Sequence, residues 1–272
     1  MKKNIVITFL IVVFIAGCVK TSTVTQPKLF PPMSKSEGAT LSWTNMPEGL
    51  NIKGVNIYVG KGDTSWIHED GNSDILKQHL VNDSPITDTT YELTNLENGE
   101  EYFVQLRVVV GSSPTDEGSE IKRFYPRPEG QVVLYAIGEG DSTGFYWNEN
   151  GEITIIKAED NQEIVDVCII KDTTEGVYYL VSPSEQFETG KTTGYLELGE
   201  ETDGWEWYKI IDAPTENYIN KIALTPNIIV GIHTSDDHYA KLRFESSTGN
   251  QINATAISLT WAFQTRKGYY HY

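Results

Sequence analysis

Apolar residues fall at every second position through most of this chain, and clusters of turn-forming residues interrupt them at short intervals. That is the period of half-buried β-strands. Ala39-Thr40-Leu41-Ser42-Trp43 sets Leu41 and Trp43 on one face, and Val55-Asn56-Ile57-Tyr58-Val59 alternates again before Gly60 and Gly62. Further strands are predicted over 89–96, over 101–110, where Tyr102, Val104, Leu106, Val108 and Val110 share a face, and over 120–125. Pro126-Arg127-Pro128-Glu129-Gly130 breaks the pattern as a short, stiff linker. Beyond it, strands are predicted at 131–137, 145–147, 153–156, 164–170, 176–181, 195–198, 205–211, 228–234, 239–245 and 256–263. Asn148-Glu149-Asn150-Gly151 is a hairpin signal between two of them. Only residues 73–81 suggest a short helix. The expected fold is all-β in two units. Residues 30–127 form a sandwich, and residues 131–272 form a second β-rich domain, a sandwich or a partly open barrel.

Composition supports two packed cores. Of 272 residues, 39% are hydrophobic and 11% aromatic, and the length suits two domains of ordinary size. The formal net charge is -17; residues 1–17 hold Lys2 and Lys3 and no acidic residue, so the chain without them carries -19. Such a surface repels phosphate backbones, which argues against a nucleic-acid partner, and it disfavours anionic headgroups. There are two cysteines. Cys18 belongs to the targeting segment, which leaves Cys168 alone in an apolar strand-like run, as a buried structural thiol with no disulfide partner.

The leader is specific. Lys2 and Lys3 precede an apolar run over residues 5–15 that is too short to span a bilayer comfortably, and it ends Ile15-Ala16-Gly17-Cys18. This resembles the lipobox of bacterial lipoproteins. The resemblance implies a signal peptide over 1–17, cleavage before Cys18, a diacylglyceryl group on its sulfur and acylation of the new amino terminus. Val19 is not acidic, which favours the outer membrane or cell surface over the cytoplasmic membrane. Residues 18–29 are expected to be a tether.

Two further resemblances touch the domains. Leu41-Ser42-Trp43, Val55-Asn56-Ile57-Tyr58-Val59 and the run from Leu93-Thr94-Asn95-Leu96 to Glu101-Tyr102 resemble a fibronectin type III domain, with Trp43 as its central core aromatic. Tyr102 then belongs to a corner in which its hydroxyl bonds to nearby backbone. The stretch 63–88 is long for that family. Thr234-Ser235-Asp236-Asp237-His238 and the strand that follows are similar to a hairpin of HmuY-type haem-scavenging surface lipoproteins, but no haem ligand of that group maps onto this chain.

Candidate chemistry is sparse. Trp205 and Trp207 alternate, so a strand through them exposes an aromatic face on which a glycan could stack. If Asp236-Asp237 is a two-residue turn, His233 and His238 share a side of the hairpin and, with an aspartate, offer ligands to a metal. Asp70-Gly71-Asn72-Ser73-Asp74 lacks the glycine and glutamate of a calcium loop. No nucleophile elbow, zinc-protease helix, phosphate loop or Rossmann turn occurs. The expected function is therefore non-catalytic: a lipid-anchored envelope protein acting as a binding or interaction module, with no cofactor. The alternative is capture of a small ligand, either a glycan on the tryptophans or haem or metal at His233–His238, or an accessory role in an uptake complex.

Overall fold

The computed structural model describes residues 24–46, 48, 51–245 and 256–272; the leader, Cys18 and the first part of the expected tether lie outside them. The fold is all-β and antiparallel, and no sheet closes into a barrel.

The first unit contains β1 (Met33–Lys35), β2 (Gly38–Ser42), β3 (Ile52–Lys61), β4 (Thr90–Leu93), β5 (Tyr102–Val110), β6 (Ser113–Pro114) and β7 (Lys122–Phe124). One sheet runs β1-β2-β4, and the other runs β3-β5-β6 with β7 also on β5. Leu41, Trp43, Ile57, Val104, Leu106 and Val108 fill the space between them, so the predicted inward face of β5 lies in this core. At the corner before β5, the Glu97 N–H donates to the Tyr102 hydroxyl at 3.1 Å.

The long stretch between β3 and β4 builds a second, smaller core. Its helix α1 (Asp74–Lys77) is capped by Ser73, whose hydroxyl accepts from the Leu76 N–H at 3.0 Å. Trp66 and Leu76 pack on Tyr58, on the sheet face that would otherwise meet water. Arg107, on that same face of β5, is fully buried. Its guanidinium donates to the carbonyls of Ile67 and Glu69, each at 2.7 Å, which pins the stretch to the sheet. Residues 24–29 also depart from expectation. Leu29 is buried and bridges to Trp43, and Gln26 accepts from the Val108 N–H and donates to Thr115, so this part of the expected tether lies along the first unit.

The second unit comprises β8 (Glu129–Tyr135), β9 (Gly144–Trp147), β10 (Ile153–Ile156), β11 (Val167–Lys171), β12 (Tyr178–Val181), β13 (Gly194–Glu200), β14 (Lys221–Ala223), β15 (Ile228–His233), β16 (Tyr239–Phe244) and β17 (Ala256–Phe263). Two five-stranded sheets, β10-β9-β11-β12-β14 and β13-β15-β16-β17-β8, face one another across a core that includes Phe145, Trp147, Leu180, Val230, Leu242, Leu259 and Trp261. This is sandwich architecture, in which each strand buries alternate residues. The Asn148–Gly151 hairpin forms as its sequence predicts, with Trp147 opposite Ile153.

The junction between the units is packed. Residues 126–128 are buried, in contrast to an exposed linker. The Arg127 N–H donates to the Lys35 carbonyl in the first unit, and its guanidinium meets the Glu129 carboxylate at 2.6 Å. Arg123 grips Asp212 through two bonds of 3.0 and 2.8 Å, and Tyr125 stacks on His271 with centroids 5.1 Å apart.

Candidate functional site

The first candidate pair does not form a platform. Residues 205–211 are not a strand: α2 (Glu206–Lys209) forms there, with Trp205 at its N-cap. Asp203 and Gly204 turn the chain, and the Glu201 carboxylate then collects three free backbone donors, accepting from the N–H groups of Gly204 (2.7 Å), Glu206 (3.2 Å) and Trp207 (3.0 Å). Trp207 is 1% exposed against the outer face of the sheet that carries β15. Trp205 is half-buried and stacks on Phe30 at 5.2 Å. The two rings therefore serve packing.

Beneath α2, Lys241 is fully buried and donates to the Trp207 and Ile210 carbonyls, with its ammonium 4.3 Å from the Trp207 ring. Burial, followed by the neighbouring Arg127 charge, holds its pKa well below the ordinary lysine range.

Glu201 gives the site a defined acid response. Burial works to raise its pKa, but the three backbone donors and Arg243 outweigh that and hold it below the ordinary value of 4.5. A lowered folded-state pKa means stability that is complete above 4.5 and lost as pH falls through the folded value. Urea unfolding of wild type and Glu201→Gln from neutral pH down through 4.5 is expected to show a shallower acid loss in the variant. Identical slopes would contradict the cap.

The second candidate pair is separated by register. His233 pairs with Tyr239 and Thr234 pairs with His238, so the loop holds three residues, 235–237, and not two. Asp237 takes φ 69° to close it. The one-residue slip puts the two histidines on opposite faces of the hairpin. His233 Nε2 meets Asp237 Oδ1 at 2.9 Å, whereas the buried His238 faces Asp236 across 3.5 Å. Among the described residues, no group of three or more His, Cys, Asp or Glu side chains is placed to hold a metal.

His233 instead lines a cleft of about 470 Å³ with Thr192, Tyr218, Asn220, Ser235 and Asp237. Gly194, at the start of β13, makes room for it: a Cβ there would lie 2.6 Å from the Cβ of Tyr218. The Tyr218 hydroxyl donates to the Pro214 carbonyl at 2.8 Å, and burial raises its pKa. Tyr239 stacks on the His233 ring at 4.4 Å, with planes 8° apart. Nothing in the sequence pattern singled out Tyr218, which sits in a loop, or Gly194. The exposed Ser235 hydroxyl makes no hydrogen bond to His233 among the described residues.

Cys168 is fully buried on β11, and its thiol donates to the Val181 carbonyl at 3.4 Å. Burial, helped by Glu159, pushes its pKa up to about 12, which is unsuited to a nucleophile. No protein-family model matches the chain, and no match is found among the curated proteins.

Proposed function

We propose that this chain is a lipid-anchored cell-envelope protein, non-catalytic, in which a fibronectin type III-like unit and a second β-sandwich form a binding module on the outer membrane or cell surface. The observation that carries the reading is the short apolar run over 5–15 ending in Ile15-Ala16-Gly17-Cys18. A diacylglyceryl group with an amide-linked acyl chain supplies stable attachment, since each buried methylene contributes about 0.8 kcal/mol and one chain alone binds only marginally.

Two features support the rest. The two facing sheets of the first unit and the Tyr102 corner suit a fibronectin-like spacer. In the cleft, His233 Nε2 is bonded to Asp237, and the surrounding hydroxyl, amide and carboxylate groups offer hydrogen bonds for recognition.

Growth of the producing cell with labelled palmitate tests the proposal. Label is expected in the wild-type protein and absent from Cys18→Ser. An unlabelled wild type, or equal labelling of both, would overturn it.

A further inference from the structure

We propose that the cleft between the β15–β16 hairpin and Tyr218 is a binding site for a neutral saccharide. The proposal rests on reading the second unit as a binding module, but it does not depend on the anchor.

The chemistry of the lining selects the ligand class. At about 470 Å³ the cleft has the size of a small-molecule site. Its side chains are hydroxyls from Thr192, Thr234 and Ser235, an amide from Asn220, a carboxylate from Asp237 and two rings, Tyr218 and His233. Among the described residues no Leu, Ile, Val, Phe or Met lines it, so its apolar surface comes from the two rings, Gly194 and threonine methyls rather than from the aliphatic wall that suits a haem or an acyl chain. Among the described residues no Lys or Arg lines it either, and the chain is strongly acidic, which disfavours a phosphate, sulfate or uronate. A sugar matches what remains. Its hydroxyls pair with carboxylate and amide groups, and its C–H faces lie on an aromatic ring.

Several groups are already in place. Asp237 commits Oδ1 to His233, which fixes the carboxylate and leaves Oδ2 without a protein partner among the described residues. The His233 ring is held by Tyr239 behind it, so it loses little freedom on binding. Asn220 is oriented by its side-chain N–H, which donates to the Glu185 carboxylate at 2.8 Å and leaves its side-chain carbonyl oxygen as an acceptor. Gly194 lets the Tyr218 ring sit close against β13.

The test uses the detergent-solubilised full-length protein on a printed array that carries neutral hexose and N-acetylhexosamine oligosaccharides beside sialylated and uronate-containing ones. Binding is expected among the neutral glycans. Isothermal titration with the strongest neutral binder should then show a loss of about tenfold or more for Asp237→Asn and for Tyr218→Ala, as expected for a charge-assisted hydrogen bond or a stacking ring. Asn220 is exposed, so Asn220→Ala provides a second site variant that does not threaten folding, and it too should weaken binding. Trp205→Ala should leave affinity unchanged. Binding confined to acidic glycans, no binding to any glycan, or neutral binding untouched by the three cleft substitutions would overturn the proposal. An unmodified Cys18 would leave this test standing, and a silent array would leave the anchor standing.

Discussion

Replacing Trp207 with alanine is expected to destabilise the second unit by about 3–5 kcal/mol, the range for deleting a large buried aromatic side chain. The ring is 1% exposed and touches Ile229 and Ala262 on the outer face of the β13-β15-β16-β17-β8 sheet. It also forms the floor beneath the Lys241 ammonium, 4.3 Å away. Deletion therefore removes dispersion contacts and leaves a buried cation with poorer surroundings, and neither loss can be made good by water at an enclosed site. An exposed aromatic on a binding platform would cost within about 0.5 kcal/mol. Trp205→Ala is the internal control: that ring is half-buried on Phe30, and its loss is expected to cost about 0.5–1.5 kcal/mol. Urea unfolding followed by far-ultraviolet circular dichroism separates the two. Equal, small effects would return the pair to the surface.

The second large effect is expected at the joint. Arg127→Ala should cost about 3–5 kcal/mol, because it leaves the Glu129 carboxylate without its counter-charge in a protected position. Arg127 itself is 1% exposed, and the Glu129 side chain is 16% exposed. Removing both charges together, as Arg127→Met with Glu129→Gln, should recover more than half of the loss, since neither member of the pair is then left charged without the other. The same comparison reports on how the units are coupled. The Arg127 backbone bonds to Lys35 in the first unit while its guanidinium pairs in charge with Glu129 at the start of β8 in the second. A transition that splits in two for Arg127→Ala but not for the double variant is the expected thermal signature. Equal stability of the single variant and wild type would mean that the pair is solvated.

These effects mark where the sequence was readable and where it was not. Strands β15, β16 and β17 lie within a residue or so of their predicted bounds, because Val230, Ile232, Leu242 and Leu259 mark a period of two and burial enforces it. The Tyr102 corner was legible because a tyrosine at a fixed offset after a turn has few other uses. Trp205–Trp207 misled because two alternating aromatics are too short a run to exclude a helical turn, in which the rings point apart, Trp207 onto the sheet and Trp205 onto Phe30. What decides is Glu201, whose carboxylate gathers the helix's free N–H groups from outside the predicted segment. Asp236-Asp237 misled because two aspartates suit loops of two or of three residues, and the difference moves His238 to the other face. Arg127 between two prolines reads as a linker; its burial depends on Lys35 and Glu129 reaching it from both sides. The cleft joins residues far apart in sequence, Thr192, Tyr218 and His233, and no local pattern could gather them.

The attachment itself is best tested on the amino-terminal peptide of the protein isolated from native membranes, by mass spectrometry after digestion. The expected peptide begins at Cys18 and carries the added mass of a diacylglyceryl group with an acyl chain on its amine. A peptide that begins at Met1, or one that begins at Cys18 with a free thiol, would contradict the account.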